Sequence, residues 1–178
     1  MIDPATLRKL IDYDPDTGTL TWKRRTADVH PNDAARKTFN SRFSGKLALA
    51  ANNGSGYRAG TVFGTTQKAH RVAWAIHYGE WPNEIDHING VTSDNRISNL
   101  RDVTHQENIR NAAVYGTNTS GHHGVRWRAD AGKWVANIRT NSKQVHLGYF
   151  SDKAEAIAAR KAAETEHGYH KNHGRNAT

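Results

Sequence analysis

EIDHINGVTSDNRISNLRDVTHQENIRN, residues 84–111, carries the clearest succession of strand, turn and helix signals in the chain. Residues 85–88 read as a short strand, Asn89-Gly90 as a turn signal, and Ser93-Asp94-Asn95 as loop, before residues 100–103 return as a second strand. Thr104-His105-Gln106-Glu107 has the pattern of a capping box, with Thr at the N-cap and Glu three residues later. It opens a helix that carries Asn108, Ile109 and Asn111. The order is therefore strand, loop, strand, helix, and Asn108 falls in the helix's first turn.

That order sets an Asp-His pair, Asp86 and His87, at the end of the first strand, with Asn99 and Asn108 following. Hydrolysing a phosphodiester needs an activated water, a cation to offset charge on the phosphate and leaving oxygen, and a frame that places both. Adjacent residues on a strand point to opposite sides, so Asp86 can face a metal while His87 faces the water, or a hydrogen bond fixes the imidazole between them. Imidazole is the side chain whose unperturbed pKa suits a base at neutral pH. Asn99 can bond the imidazole or hold the hairpin shut, and Asn108 can offer an amide oxygen to a hard cation. One carboxylate and one amide suit Mg²⁺, which keeps several of its waters and takes phosphate oxygens as ligands. The same residue types also build ordinary loops, so spacing alone leaves both readings open.

Composition narrows the setting. Cysteine is absent, which excludes a disulfide framework and every thiolate-ligated zinc site. The longest apolar runs, such as residues 47–51, are too short to span a bilayer, and residues 1–16 have neither an apolar signal core nor a basic leader. A soluble, cytoplasmic protein with no membrane partner is predicted. The net charge is +8, with a pI near 9.9, as suits a partner made of phosphates. Residues 1–60 carry 10 Lys and Arg against 6 Asp and Glu, residues 61–115 carry 5 against 6, and residues 116–178 carry 10 against 5. Cationic flanks enclose a middle that keeps its carboxylates.

Upstream, Asp3-Pro4 reads as an N-cap and first helical residue, with Leu7, Leu10 and Ile11 as the apolar stripe. Residues 14–18 have turn chemistry and residues 19–23 alternate as a strand. Lys23-Arg24-Arg25 is a cationic cluster suited to phosphate, or else a solvated strand end. Residues 26–56 show little periodicity and read as a long loop. Residues 57–63 and 67–70 look like a hairpin, followed by a helix over 71–78 that Gly79 and Pro82 end. His70, Trp74 and His77 read as packing residues, with a place near the site as the alternative for His70.

Downstream, residues 114–123 read as a linker rich in Gly, Thr, Asn and Ser. Three alternating segments follow. Val125 and Trp127 oppose Arg126 and Arg128; Trp134, Ala136 and Ile138 oppose Lys133, Val135, Asn137 and Arg139; Val145 and Leu147 oppose Gln144 and His146. Three strands thus share one apolar and one cationic face. Ser151 or Asp152 caps a helix whose inward stripe is predicted to hold Ala154, Ile157, Ala158, Lys161, Ala162 and Thr165. His167, His170 and His173 have a spacing that could hold a metal, although a polar terminus explains them as well.

The run HRVAWAIHYGEWPNEIDHINGVTSDNRISNLRDVTHQENIRN closely resembles the HNH endonucleases of bacteriophages and mobile introns. Counting the weaker patterns YDPDTGTLTWKRR and GYRAGTVFG, the resemblance spans roughly residues 1–115. It implies a ββα-metal fold around one divalent ion, Mg²⁺ or Mn²⁺. His87 would be the general base, Asp86 and Asn108 the metal ligands, and Asn99 the residue that orients the hairpin and base. The last motif residue is Asn rather than His, as in the phage branch.

Residues 121–172 resemble the DNA-binding domain of plant ethylene-response factors, the APETALA type, through GVRWRADAGKWVANIR, VHLGYF and the alanine-rich helix. That family reads DNA with a three-stranded sheet in the major groove. The matching positions give His123, Arg126, Arg128, Asn137, Arg139, Gln144 and His146 as the DNA-facing set. Gln144 and His146 stand where the plant pattern has Arg and Trp, and Ala129-Asp130-Ala131 lacks its Trp, so DNA binding carries over and the plant target sequence does not.

The expected fold class is α+β, with a ββα-metal nuclease domain over residues 1–113, a linker over 114–123, and a small three-stranded antiparallel sheet packed on one helix over 124–178. The expected function is a divalent-metal-dependent DNA endonuclease, a phage homing enzyme acting on double-stranded DNA in the bacterial host cytoplasm. It would act as a monomer or homodimer, without a small-molecule cofactor, and make a nick or a double-strand break. The alternative is a non-catalytic, sequence-specific DNA-binding or regulatory protein. An RNA-directed nuclease fits less well, because the C-terminal sheet lacks an exposed aromatic row.

Overall fold

The chain divides into two units, Met1–His105 and Gln106–Thr178. The computed structural model describes residues 1–110, 118–140 and 143–169, the side chains of Gln106, Ile109 and Arg110 excepted. The expectations on Asn111, on residues 114–117 of the linker, and on His170 and His173 lie outside the described residues. Among the described residues no helix is long and apolar enough to cross a membrane.

In the first unit, the Asp3 carboxylate caps α1 (Pro4–Leu10) by accepting from the Thr6 amide at 3.0 Å. The chain then passes straight into β1 (Ile11–Asp14), which pairs antiparallel with β2 (Thr19–Trp22). β2 and its turn lie where the sequence predicts them, whereas β1 is a strand that the sequence reading does not expect, its IDYD sequence being half acidic. A larger difference lies in the segment read as loop, where Asn32 caps an 11-residue helix, α2 (Asp33–Phe43), by accepting from the Ala35 amide. None of its residues is fully buried, so no apolar stripe announces it. Two side chains attach it. Asn40 exchanges hydrogen bonds with the Arg25 backbone at 2.8 and 2.9 Å, and Phe39 meets Trp22 edge-on with ring centroids 5.4 Å apart.

The cationic cluster before α2 is largely structural. Arg25 is buried, its guanidinium carbon 3.4 Å from the Phe39 ring centroid and 5.7 Å from those of Trp22 and Phe63. Lys23 donates to the Arg8 carbonyl at 3.0 Å and lies 3.5 Å from Asp12. Arg24 stays exposed for solvent or phosphate.

β3 (Ala51–Asn52), β4 (Arg58–Val62) and β5 (Thr65–Lys68) form an antiparallel sheet, the last two joined by Phe63-Gly64 with both φ positive, at 48° and 75°. α3 (Ala69–Tyr78) follows and ends on Gly79 in the left-handed region, as the sequence predicts. His70 belongs to this helix rather than to the hairpin. Arg71 then donates to the carbonyls of Pro82 and Asn83, both at 2.9 Å, and turns the chain into β6 (Glu84–His87). A 3₁₀ turn (Ile97–Asn99) leads into β7 (Leu100–Val103), antiparallel to β6. One core collects Leu7, Leu10, Leu20, Val62, Val72 and Ile85, drawn from α1, β2, β4, α3 and β6. The β6–β7 hairpin therefore stands on the packed interior of its unit. α4 (His105–Arg110) begins at the unit boundary.

In the second unit, β8 (Val125–Arg128), β9 (Lys133–Thr140) and β10 (Lys143–Phe150) form one antiparallel sheet in the order β10-β9-β8. Asp152 caps α5 (Lys153–Glu166), which packs on the sheet over Val125 and Ala136 through Ala156. The helix differs from its predicted stripe. Ala156, Arg160 and Ala163 are the buried positions, while Ala154, Ala158, Lys161, Ala162 and Thr165 face solvent. The buried residue that misled the reading is Arg160, whose guanidinium bonds Glu164 at 2.7 Å and the Asn137 carbonyl. A paired arginine can lie on an inward face that a periodicity rule assigns to apolar residues. Gly124 permits this arrangement, because a Cβ there would sit 2.3 Å from the Asn137 carbonyl oxygen and 2.8 Å from Arg160 Nη1. Trp127, predicted on the covered face, is 48% exposed and meets Trp134 at 5.4 Å, so this end of β8 lies outside the cover of α5.

Candidate functional site

Asp86 and His87 are the last two residues of β6, and both are buried. Register pairs Asp86 with Arg101 and His87 with Leu100, so alternation sends their side chains to opposite faces. On one face Arg101 grips the Asp86 carboxylate. Its Nε donates to Oδ2 at 2.9 Å and its Nη2 to the same oxygen at still closer range. A carboxylate 6% exposed keeps its charge at low cost only with such a partner.

On the other face the His87 ring meets His70 edge-on, with centroids 5.1 Å apart, and Tyr57 at 5.9 Å. Tyr57 also lies 5.0 Å from His70, and the Lys68 ammonium is 5.0 Å from the Tyr57 ring centroid. His87 Nε2 lies 3.5 Å from Asn95 Oδ1. His70, kept in the sequence reading as a packing residue with a place near the site as its alternative, thus packs directly on the predicted base. Tyr57, Asn95 and Arg101 escaped that reading altogether, because their approach to the pair is tertiary. The Asp94-Asn95 loop signal and the alternation opposite Asp86 were the available hints.

Asn99 closes the β6–β7 connection. Its Oδ1 accepts from the Asn89 amide at 2.9 Å and its Nδ2 donates to the Asp94 carbonyl at 2.8 Å, while its backbone carbonyl accepts from the Ile88 amide. Of the two uses considered for Asn99, these bonds serve to hold the hairpin shut. Asp94 reinforces the loop. Arg96 bonds both its oxygens, at 2.9 and 2.6 Å, and Asn89 donates at 2.7 Å, so that Arg96 first and Asn89 with it hold its carboxyl down at about 2. Asn108 lies on α4, half-buried, in the second unit. Its helix starts at His105, whose Nδ1 is 2.7 Å from Glu84 Oε1 on β6.

A divalent ion at Asp86 would meet a hard oxygen donor already oriented by Arg101 and would share that carboxylate with the guanidinium. Among the described residues no group of three His, Cys, Asp or Glu side chains could hold a metal. A tetrahedral zinc centre is therefore a poor match to the described donors, whereas an ion that keeps most of its waters suits a single carboxylate helped by an amide oxygen.

Burial first, and then the electrostatic influence of His87, Lys68 and Arg71, pushes His70 down to about 3. The folded protein thus holds the His70 ring neutral at pH values well above 3. The unfolded chain binds this proton near 6.5, so the stabilisation is complete above 6.5 and lost as pH falls from 6.5 toward 3. Urea midpoints should decline across that window with a contribution of up to about 1.4 kcal/mol per pH unit from this residue. His70→Phe should flatten the decline, and an unchanged slope in that variant would contradict the burial argument.

In the second unit, six of the seven predicted DNA-facing residues share one sheet face. Register sets Arg126 beside Val135 and Tyr149, Asn137 beside His146, and Arg139 beside Gln144, with Arg128 two residues from Arg126. Val135, placed on this face by alternation, is nonetheless buried. A bulge between His146 and Gly148 brings Tyr149, which the sequence reading did not select, onto the same side. Arg126 and Arg139 are exposed. Arg128 is engaged by Asp130 at 2.9 Å and by the Tyr149 hydroxyl at 2.7 Å, and Asn137 Oδ1 lies 3.1 Å from His146 Nδ1. His123 precedes β8, half-buried and outside the strands.

A family model described as HNH endonuclease matches residues 67–110, the segment from β5 to α4 that contains Asp86, His87, Asn99 and Asn108. Protein 3.8 of Escherichia phage T7 is 30% identical over 93 residues, covering 51% of this chain and 76% of the phage protein. No solved structure matches the chain significantly.

Proposed function

Since the chain belongs to the family of protein 3.8 of Escherichia phage T7 and carries an HNH endonuclease segment, we propose that it is a divalent-metal-dependent endonuclease of duplex DNA. The observation that carries the reading is the buried Asp86-His87 pair at the end of β6, one side chain held by Arg101 and the other set among His70, Tyr57 and Asn95 on the opposite face. A strand end that separates a carboxylate from an imidazole can bind a cation on one side and activate water on the other.

In this mechanism His87 is the general base, taking a proton from the water that attacks phosphorus. Asp86 and Asn108 would be the residues to hold the metal, and Asn99 keeps the loop closed so that the strand end holds its shape. When bound, Mg²⁺ or Mn²⁺ supplies charge neutralisation at the phosphate and leaving oxygen. Arg101 fixes the Asp86 carboxylate in orientation. Lys68, exposed near Tyr57, adds positive charge on the His87 side, where a phosphate would approach.

The second unit is the address. Its sheet face with Arg126, Asn137, Arg139, Gln144 and His146 has the chemistry for a DNA groove, in the manner of the ethylene-response-factor domain that residues 121–172 resemble. This division of labour, one unit to cut and one to locate, fits a phage homing endonuclease working in the bacterial cytoplasm. Among the described residues Tyr149 is the exposed aromatic on that face, and a single ring gives little stacking for unpaired bases. Parallel assays with Mg²⁺ on duplex DNA and on RNA of the same sequence should show cutting of DNA alone. Equal cutting of RNA would reassign the substrate, and binding of DNA without cleavage under any divalent ion would favour the non-catalytic reading.

A further inference from the structure

The segment from Lys23 to Lys46 holds 7 Lys and Arg against 2 Asp, and it lies outside residues 67–110, which the endonuclease family matches. α2 occupies its second half, and burial shows how that helix is turned. Arg36, Phe39 and Asn40 are half-buried and face the body of the unit, where Arg36 donates to the His30 carbonyl at 3.2 Å beside the Phe39 and Asn40 contacts already described. With 3.6 residues per turn, Ala34, Thr38 and Ser41 lie opposite them, flanked by Lys37 on one side and Arg42 on the other. All five are exposed. The Thr38 and Ser41 hydroxyls turn back onto the helix and donate to the carbonyls of Ala34 and Thr38, at 2.9 and 3.0 Å. The outer face of α2 is thus a low ridge of short side chains between two long cations.

A third cation joins them just past the helix. The Gly45 amide donates to the Trp22 carbonyl at 2.8 Å and the Trp22 amide to the Lys46 carbonyl at 2.9 Å, which sets Lys46 beside the end of β2. Among the described residues neither Arg42 nor Lys46 has an ion-pair partner. Lys37 lies 2.8 Å from Asp33, with the two side chains 78% and 57% exposed, and a pair so open to water is weak and gives way readily to a phosphate. A helix with no fully buried residue adds little to the core, so packing does not account for these cations. Uncompensated positive charge on one exposed surface gains free energy when it displaces the counterions of a polyphosphate.

We propose that the outer face of α2, with Lys37, Arg42 and Lys46, is a second DNA-contact surface, carried by the nuclease unit, that grips the sugar-phosphate backbone of the duplex. This rests on the reading of duplex DNA as the substrate. The short ridge lets a backbone approach, and the flanking cations reach its phosphates. Because the Thr38 and Ser41 hydroxyls are spent on the helix itself, the face offers little to a base edge. Its grip is therefore independent of sequence, unlike that of the second unit's sheet.

The test measures binding and Mg²⁺-dependent cleavage of random-sequence duplex DNA by the full chain. Arg42→Gln combined with Lys46→Gln should lower the salt slope of binding by about two and affinity by about 30-fold near physiological salt, since each phosphate contact counts about 0.9 in that slope. The loss should be the same on every duplex, with KM raised, kcat unchanged and the thermal unfolding midpoint parental. Arg42→Lys combined with Lys46→Arg keeps the charge and should keep the affinity. Lys37→Gln, on the other flank, should lower the slope by about one, which decides the matter if the double glutamine variant does not fold. Parental affinity and slope in the glutamine variants would overturn the proposal. So would a loss that depends on the DNA sequence, or one that disappears when Arg126 and Arg139 are also replaced by alanine. Failure of the substrate reading is a separate result, in which the parent chain itself neither binds nor cuts duplex DNA.

Discussion

Replacing His87 with alanine is expected to slow cleavage of duplex DNA by about 10²- to 10⁴-fold while leaving DNA affinity within about twofold. The size follows from what remains on that face of the hairpin. His70 is the nearest other imidazole, but burial above all holds it at about 3 in the parent protein, so it is a poor proton acceptor at neutral pH. Asp86 points to the other face and is engaged by Arg101. Affinity should survive because the predicted DNA-facing set lies on the sheet of the second unit. Truncation also removes a ring packed against His70 and Tyr57, so thermal unfolding must accompany the rate. His87→Gln, closer in volume, separates the two effects. A slow but stable variant supports the base assignment, and a variant that cuts at the parental rate refutes it.

The second large effect is expected at the cationic sheet. Arg126→Ala combined with Arg139→Ala should weaken duplex binding by about 10²- to 10³-fold, as two lost base or phosphate contacts at about 1–3 kcal/mol each would require. Both side chains are exposed on the face that carries Asn137, Gln144 and His146. Arg128→Ala should cost less, because Arg128 already spends its donors on Asp130 and Tyr149 and must release them to reach DNA. Titration of affinity against salt distinguishes the kinds of contact. A slope reduced by about one per arginine indicates phosphate, whereas relaxed sequence preference at a fixed slope indicates a base. Unchanged affinity in the double variant would remove this face from the interface.

Local chemistry made much of this architecture readable in advance. Asp3, Gly79 and Asp152 mark helix ends by capping, and strict alternation laid out β8, β9 and β10 with the cationic side chains on one face. The hidden parts depend on partners distant in sequence or on polar burial. α2 has no fully buried residue and is attached by Asn40 and Phe39, which leaves no apolar period to read. α5 turns inward on Arg160, an arginine made compatible with burial by Glu164 and the Asn137 carbonyl. At the site, the adjacency of Asp86 and His87 was visible, but the surroundings that make their two faces different were not. His70 lies on a preceding helix, Arg101 on the partner strand, and the Asn95 carbonyl accepts from Tyr13, 82 residues away in the chain. Each is an ordinary residue for its element, and only the fold brings it to the strand end.

Supercoiled plasmid incubated with the purified protein in EDTA, and then given excess Mg²⁺, separates metal-dependent cleavage from binding. The predicted result is an intact plasmid in EDTA and conversion to nicked or linear DNA once Mg²⁺ is present, with His87→Ala binding the plasmid but leaving it supercoiled. Plasmid that is bound but uncut in Mg²⁺ and Mn²⁺, or cut equally well in EDTA, would contradict a metal-dependent endonuclease built on Asp86 and His87.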